Sequence, residues 1–314
     1  MDTTTQIPAN FIDNIESLQI AKLSDDELST IDNFIYLTRD AQETKQLFDI
    51  FYFNLLCLRN NFVLYAGDTV KKSPNCPEYS SENIAVNALV INLISSAKTL
   101  AESLRTVAIR WFKKDEENRD SFNIYVSDVY DKSIVYRMLM NLRDFAQHGN
   151  LPVSQKEGRY SFDIFQILAT PHFNLNKQVE ADMNEFLSNF DQSEVTACLA
   201  LTITIADFTV KVIDIYRQFL TYMKENISSA YNKIQQMIKI NPTIVCNTHE
   251  ILNGYIIYFI GNECHAFNPT DNPNKMIYEY DKYTADIYED EVKALKALKR
   301  GFKNCSKPKK EKAI

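Results

Sequence analysis

Apolar residues recur every three to four positions through most of this chain, and that period predicts helices. Leu47, Phe48, Phe51, Leu55, Leu58 and Phe62 fall on one side of a helix expected over residues 40–65. Upstream, residues 8–37 read as one or two short helices. There Ser24-Asp25-Asp26-Glu27 carries a capping signature, with Ser24 as N-cap and Glu27 three residues on. Leu89, Leu93, Ala97, Leu100 and Leu104 line a second long helix over residues 81–112, and a third is expected over 121–148. Gly67 and residues 71–79, with Pro74 and Pro77, read as a loop, and the charged run 113–119 as a solvated connection.

After Gly149 the pattern changes. Pro152 blocks helix continuation, and residues 159–168 alternate enough to be a strand or hairpin arm. Helices resume over residues 176–190 and 194–239, the second with a break near Asn226. Residues 243–288 are rich in tyrosine and β-branched side chains. Segments 254–260, 263–267 and 276–280 there predict a small antiparallel sheet. A short helix over 285–298 leads into a basic tail. The expected fold is mainly α. It comprises a helical domain over residues 1–155, then a helical region with a small β element and a basic tail over 156–314, in which both parts could share one core.

Composition narrows this picture. With 45% hydrophobic and 24% charged residues the chain is globular, and only six glycines and nine prolines argue against an all-β fold. A net charge of −7 argues against non-specific nucleic-acid binding by the chain as a whole. The six cysteines are scattered and the first twenty residues show no basic, apolar leader pattern. Free thiols in a reducing cytoplasm are expected. The charge-free run 195–206 is too short to span a bilayer and reads as core helix, so no membrane association is expected.

Candidate chemistry concentrates in Leu139-Met-Asn-Leu-Arg143-Asp144-Phe-Ala-Gln147-His148-Gly149. On a helix Arg143 and Gln147 are neighbours, as are Asp144 and His148, and the four make one polar patch. Leu139, Leu142, Phe145 and Ala146 take the core side. Gly149 suits the position just past a helix end, which puts His148 in the last turn. There the negative end of the helix dipole and the nearby Asp144 both favour imidazolium. An imidazole that moves protons beside a permanent guanidinium is what RNA self-cleavage requires.

Arg143-x4-His148, near the end of a long helix and with a polar residue directly after the arginine, resembles the signature of the HEPN superfamily. The resemblance covers roughly residues 40–155, and the Gln147-His148-Gly149-x-Leu-Pro context is similar to bacterial HEPN proteins. It implies a helical domain that dimerises so that two motifs share one cleft. It also implies an endoribonuclease needing neither metal nor cofactor, acting as a toxin or effector in anti-phage defence, with an antitoxin or defence-system partner protein. Arg143 would then stabilise charge on the scissile phosphate, His148 would be general acid or base, Asp144 would orient one of them, and Gln147 would line the pocket. The RNA 2′-OH would attack its own phosphate and leave a 2′,3′-cyclic end, so DNA should not be cut. Asparagine is the commonest residue after the arginine in active members, and Asp144 is a variant.

Other readings of the same residues stay open. His148 could cap a helix end, with Arg143 and Asp144 in a surface ion network, in a non-catalytic module that binds a protein or a nucleotide. Lys299, Arg300 and Lys303 belong to a basic C-terminal stretch that either contacts RNA phosphates or is simply solvated. Cys246-x2-His249 and Cys264-His265 superficially suggest zinc. Adjacent residues of a strand point to opposite faces, however, so buried thiols are the simpler reading. His172 reads as a loop residue without a role. Gly-rich phosphate loops, serine-hydrolase elbows and zinc-protease helices are not found in the sequence.

Overall fold

The computed structural model describes residues 4–6, 20–66, 82–113, 121–147, 150–156, 159–170, 177–188, 198–247, 253–260, 263–269 and 272–305. In chain order its elements are β1 (Thr4–Gln6), α1 (Asp25–Ala66), α2 (Glu82–Trp111), α3 (Ser121–Lys132), α4 (Ile134–Gln147), β2 (Val153–Lys156), β3 (Arg159–Asp163), α5 (Ile164–Ala169), α6 (Lys177–Ser188), β4 (Cys198–Ala200), α7 (Leu201–Ile240), β5 (Ile256–Ile260), β6 (Glu263–Phe267) and α8 (Pro273–Cys305). Helices dominate, so the protein is mainly α with small β elements.

Two compact units are built from alternating segments. The first takes Met1–Lys45, Arg110–Phe112 and Phe219–Lys282; the second takes Gln46–Ile109, Lys113–Gln218 and Tyr283–Ile314. The sequence reading instead divides the chain once, near residue 155.

In the first unit the capping box forms as its spacing requires. Ser24 N donates to Glu27 Oε2 at 2.8 Å and Glu27 N donates to Ser24 Oγ at 3.3 Å, which satisfies orphan donors at the start of α1. Ile31 and Phe34 of α1 and Ile234 of α7 pack on Ile256, Tyr258 and Phe267 of an antiparallel sheet ordered β1-β6-β5. Gly254 has φ of 87°, the left-handed region that glycine enters without penalty, and its N–H donates to Cys246 O at 2.8 Å in the turn before β5. Buried Asp40 accepts from Arg110 at 2.8 Å and from Trp111 Nε1 at 2.6 Å.

In the second unit Phe48 of α1 stacks on Tyr216 of α7, centroids 4.4 Å apart. Val90, Leu93, Ala97, Leu100 and Leu104 of α2 are buried. The span Ile84–Trp111 is, among the described residues, the one helix long and apolar enough to cross a membrane. Burial of that stripe inside the unit is what a core helix of this composition shows. A hairpin of β2 and β3 extends to β4, with Val153 opposite Phe162 and Phe162 opposite Leu199.

Several sequence expectations need correction. Residues 276–280 are helical: α8 starts at Pro273, where Asn272 Oδ1 accepts from Asn274 N at 3.0 Å, and the third strand of the sheet is β1. α8 therefore far exceeds the short helix expected over 285–298. α1 is one helix from Asp25 to Ala66. α7 passes through Asn226 unbroken, and that side chain donates to Tyr222 O at 2.9 Å within the helix. Residues 121–147 are two helices, not one. They meet at Ser133, whose Oγ accepts from Tyr136 N at 3.2 Å as the N-cap of α4. Within the run 195–206, Cys198–Ala200 form a strand and the helix starts at Leu201, while 195–197 lie outside the described residues. The loop expected at 71–79 lies outside the described residues, as does nearly all of 113–119.

Candidate functional site

The site rests on α4, in the second unit. Leu139, Leu142 and Phe145 are buried at helical spacing, and this holds the helix by one side. Arg143 and Asp144 consequently keep partial exposure, with side chains 29% and 47% accessible. Arg143 Nε is buried without a hydrogen-bond partner among the described residues, and its NH1 lies 3.9 Å from Asp144 Oδ1. At that separation the pair is ionic without a hydrogen bond, so the guanidinium fork is not closed onto Asp144.

Asp144 is held from elsewhere. Lys98 of α2 donates to its Oδ1 at 3.0 Å and to its Oδ2 at 3.3 Å. Sequence reasoning missed Lys98, although a signal was there: it is the only charged residue between Glu82 and Glu102.

Lys98 and Asp144 line a cleft of about 230 Å³ between α2, α3 and α4. Lys98, Glu102, Arg105, Tyr130, Asn141 and Asp144 are among its lining residues. Asn141 donates to Arg137 O at 2.8 Å and lies 3.4 Å from Tyr130 Oη. Burial pushes the Tyr136 hydroxyl well above its ordinary range, an effect the Arg105 charge partly offsets.

Two buried polar residues fix the surroundings. Arg137 donates to Tyr130 O at 2.6 Å and to Asp131 O, and pairs with Asp182; a cation thus caps the last turn of α3. Asn87 of α2 donates to Val153 O and accepts from Val153 N, both at 2.9 Å. Asn150 Nδ2 donates to Phe145 O at 3.4 Å. The chain is therefore tied on both sides of positions 148 and 149.

Of the residues singled out from sequence, Arg143 and Asp144 both lie on the partly exposed side of α4, away from Leu139, Leu142 and Phe145. Gln147 closes α4, but its side chain lies outside the described residues, as do His148 and Gly149 entirely. Lys299 sits on α8 with its ammonium on Asp207 Oδ1 at 2.8 Å, and Arg300 is exposed one residue on. Lys303 is within α8, its side chain outside the described residues. Cys264 is buried with Cys246, Ile257 and Ala266, and burial raises its thiol above the ordinary value. His265 stacks on Tyr258 at 5.7 Å, so neighbours 264 and 265 do take opposite faces of β6. His249 and His172 lie outside the described residues.

Chemically, the described part of the site offers the partly exposed Arg143 guanidinium next in sequence to a cleft-lining carboxylate, and an ammonium that steadies that carboxylate. It can hold an anion. No family model matches this chain, and no curated protein or solved structure does either.

Proposed function

We propose that the chain is a metal-independent endoribonuclease of the HEPN type, cleaving RNA by attack of the 2′-OH on the adjacent phosphate. The observation that carries this reading is Arg143 itself: a partly exposed guanidinium, unclosed onto its own aspartate, on the last turns of a helix whose other side is core. In the reaction Arg143 holds a non-bridging oxygen of the scissile phosphate and stabilises the charge that develops there. His148, five residues on, removes the 2′-OH proton or protonates the 5′-oxygen leaving group. A 2′,3′-cyclic phosphate and a 5′-hydroxyl result. Asp144 and Lys98 set the charge around the pair. Gln147 lines the pocket, and Arg300 with Lys303 supplies phosphate contacts outside it.

With one motif per chain, the proposed active form is a homodimer in which two motifs face one groove. The proposed role, carried by the HEPN resemblance, is that of a toxin or effector in bacterial anti-phage defence, restrained or triggered by a partner protein.

A second reading has its own support. Ile50, Phe53 and Leu56 on α1 are 52%, 65% and 39% exposed, an apolar stripe that suits a non-catalytic module docking on another protein.

The deciding experiment is incubation of RNA with the purified chain in excess chelator, beside Arg143→Ala and His148→Ala. Cleavage by the wild type with cyclic-phosphate ends, lost in both variants, is the expected result. Equal cleavage by all three, or by none when the protein is folded and dimeric, removes the ribonuclease and favours the module.

A further inference from the structure

We infer that the cleft between α2, α3 and α4 is a guanine site, a base-reading pocket beside the phosphate held by Arg143. The inference rests on the proposed reading of this side of the second unit as RNA-handling.

The first observation is charge balance. The cleft carries two cations, Lys98 and Arg105, and two carboxylates, Glu102 and Asp144. A pocket for phosphate alone would not place two anions against its ligand. A base edge, by contrast, shows donors and acceptors side by side.

The second is which of these groups is already used. Lys98 and Asp144 bind one another. Glu102 and Arg105 do not: they are three apart on α2 and share one helical side, yet neither side chain has a hydrogen bond or ion pair with a described residue. What remains on offer is therefore one carboxylate and one guanidinium, both exposed, at the wall of one cleft.

Base chemistry then selects. Guanine presents a ring N–H and an amino group side by side, which a single carboxylate accepts in parallel. It also presents O6 and N7, an acceptor pair that matches a guanidinium fork. Uracil sets carbonyl oxygens on both sides of its N–H, and these oppose a carboxylate. Cytosine and adenine each place an unprotonated ring nitrogen beside the amino group, with the same result.

The third observation is the wall. Tyr130 lines the cleft with its ring fixed in place, Tyr136 edge-on at 6.5 Å and the Arg137 guanidinium 5.9 Å from its centroid. A fixed aromatic ring is a stacking surface for an unpaired base. About 230 Å³ accommodates one base and no duplex, so the substrate is single-stranded at this point.

The test is calorimetric titration of the full chain with GMP, AMP, CMP and UMP, for wild type, Glu102→Gln and Arg105→Met. Both side chains are exposed, so the variants should fold, and circular dichroism checks that they do. GMP should bind roughly tenfold or more tighter than UMP, the order expected of a bidentate base contact. Glu102→Gln should erase the preference, because its amide puts a donor against guanine's donors. Equal binding of the four nucleotides, or no saturable binding of GMP, overturns the guanine site. Arg143-dependent RNA cleavage that ignores guanine leaves the ribonuclease standing and removes the pocket's assignment. GMP selectivity in a chain that cuts no RNA does the reverse.

Discussion

Lys98 holds Asp144 through both carboxylate oxygens, at 3.0 and 3.3 Å, while Arg143 stands 3.9 Å from the nearer of them. Consecutive residues of a helix point in different directions, so Asp144 does not face the Arg143 fork squarely. The ammonium from α2 holds the carboxylate in that position, and the fork is left with an open side. On the proposed mechanism this is useful, because a guanidinium already bridged to a carboxylate must lose that pair before it takes a phosphate.

Lys98→Met should therefore release Asp144 to close on Arg143 and slow RNA cleavage, by up to about 100-fold for a displaced catalytic group. Lys98→Arg, which keeps the charge, should recover most of the rate. Stability should move by less than about 1 kcal/mol, since the pair is partly exposed. Single-turnover cleavage together with thermal melting separates the two effects. An unchanged rate in Lys98→Met would mean that Asp144 has no influence on Arg143.

What could be read from sequence was what is local. The capping box at Ser24 and Glu27 spans one turn and depends on nothing else. The partial exposure of Arg143 and Asp144 is legible because Leu139, Leu142 and Phe145 fix which way α4 faces. Residues 276–280 misled because Tyr and Ile favour strands. Their burial actually follows the helical period, with Ile277, Thr284, Ile287, Glu291 and Leu295 buried along α8. The partners of the site were invisible for another reason. Lys98 meets Asp144 across 46 positions and Lys299 meets Asp207 across 92, pairings that only packing decides. Asn87 binds backbone, so no pattern of side chains could reveal it.

Asn87→Ala should destabilise the second unit. The variant leaves Val153 N–H and C=O buried without their partner, at about 2–4 kcal/mol for two such groups. It should also loosen the segment after α4 and lower cleavage more than the fall in melting temperature explains. Urea unfolding measures the first effect, and cleavage assayed well below the transition measures the second. A variant as stable as wild type would show the two hydrogen bonds to contribute nothing net.

Arg137→Met should be more damaging still. The guanidinium is buried, caps two carbonyls at the end of α3 and neutralises Asp182, so its loss strands a carboxylate and uncaps a helix at once. About 3–5 kcal/mol is the expected cost of breaking such a buried pair. Arg137→Lys should restore only part, because one ammonium cannot reach both the carbonyls and the carboxylate. Pairing Arg137→Met with Asp182→Asn should cost less than the sum of the two single changes; strict additivity would mean that the ion pair carries no coupling.

Alkaline pH should destabilise the first unit through Tyr258. Burial, with a smaller contribution from Asp32, raises its hydroxyl from 10.0 to about 12. Above pH 10 the unfolded chain loses this proton while the folded chain keeps it, so folding stability falls as pH rises and is unaffected below. The loss reaches about 2 kcal/mol by pH 12. Tyr258→Phe removes the titrating group and should flatten that part of the profile. Tyr125 and Tyr136, also raised by burial, leave a residual slope from the second unit. Urea midpoints at pH 9 and pH 11, compared between wild type and Tyr258→Phe, test it. If both lose the same stability between those values, Tyr258 is not the group that couples folding to alkaline pH.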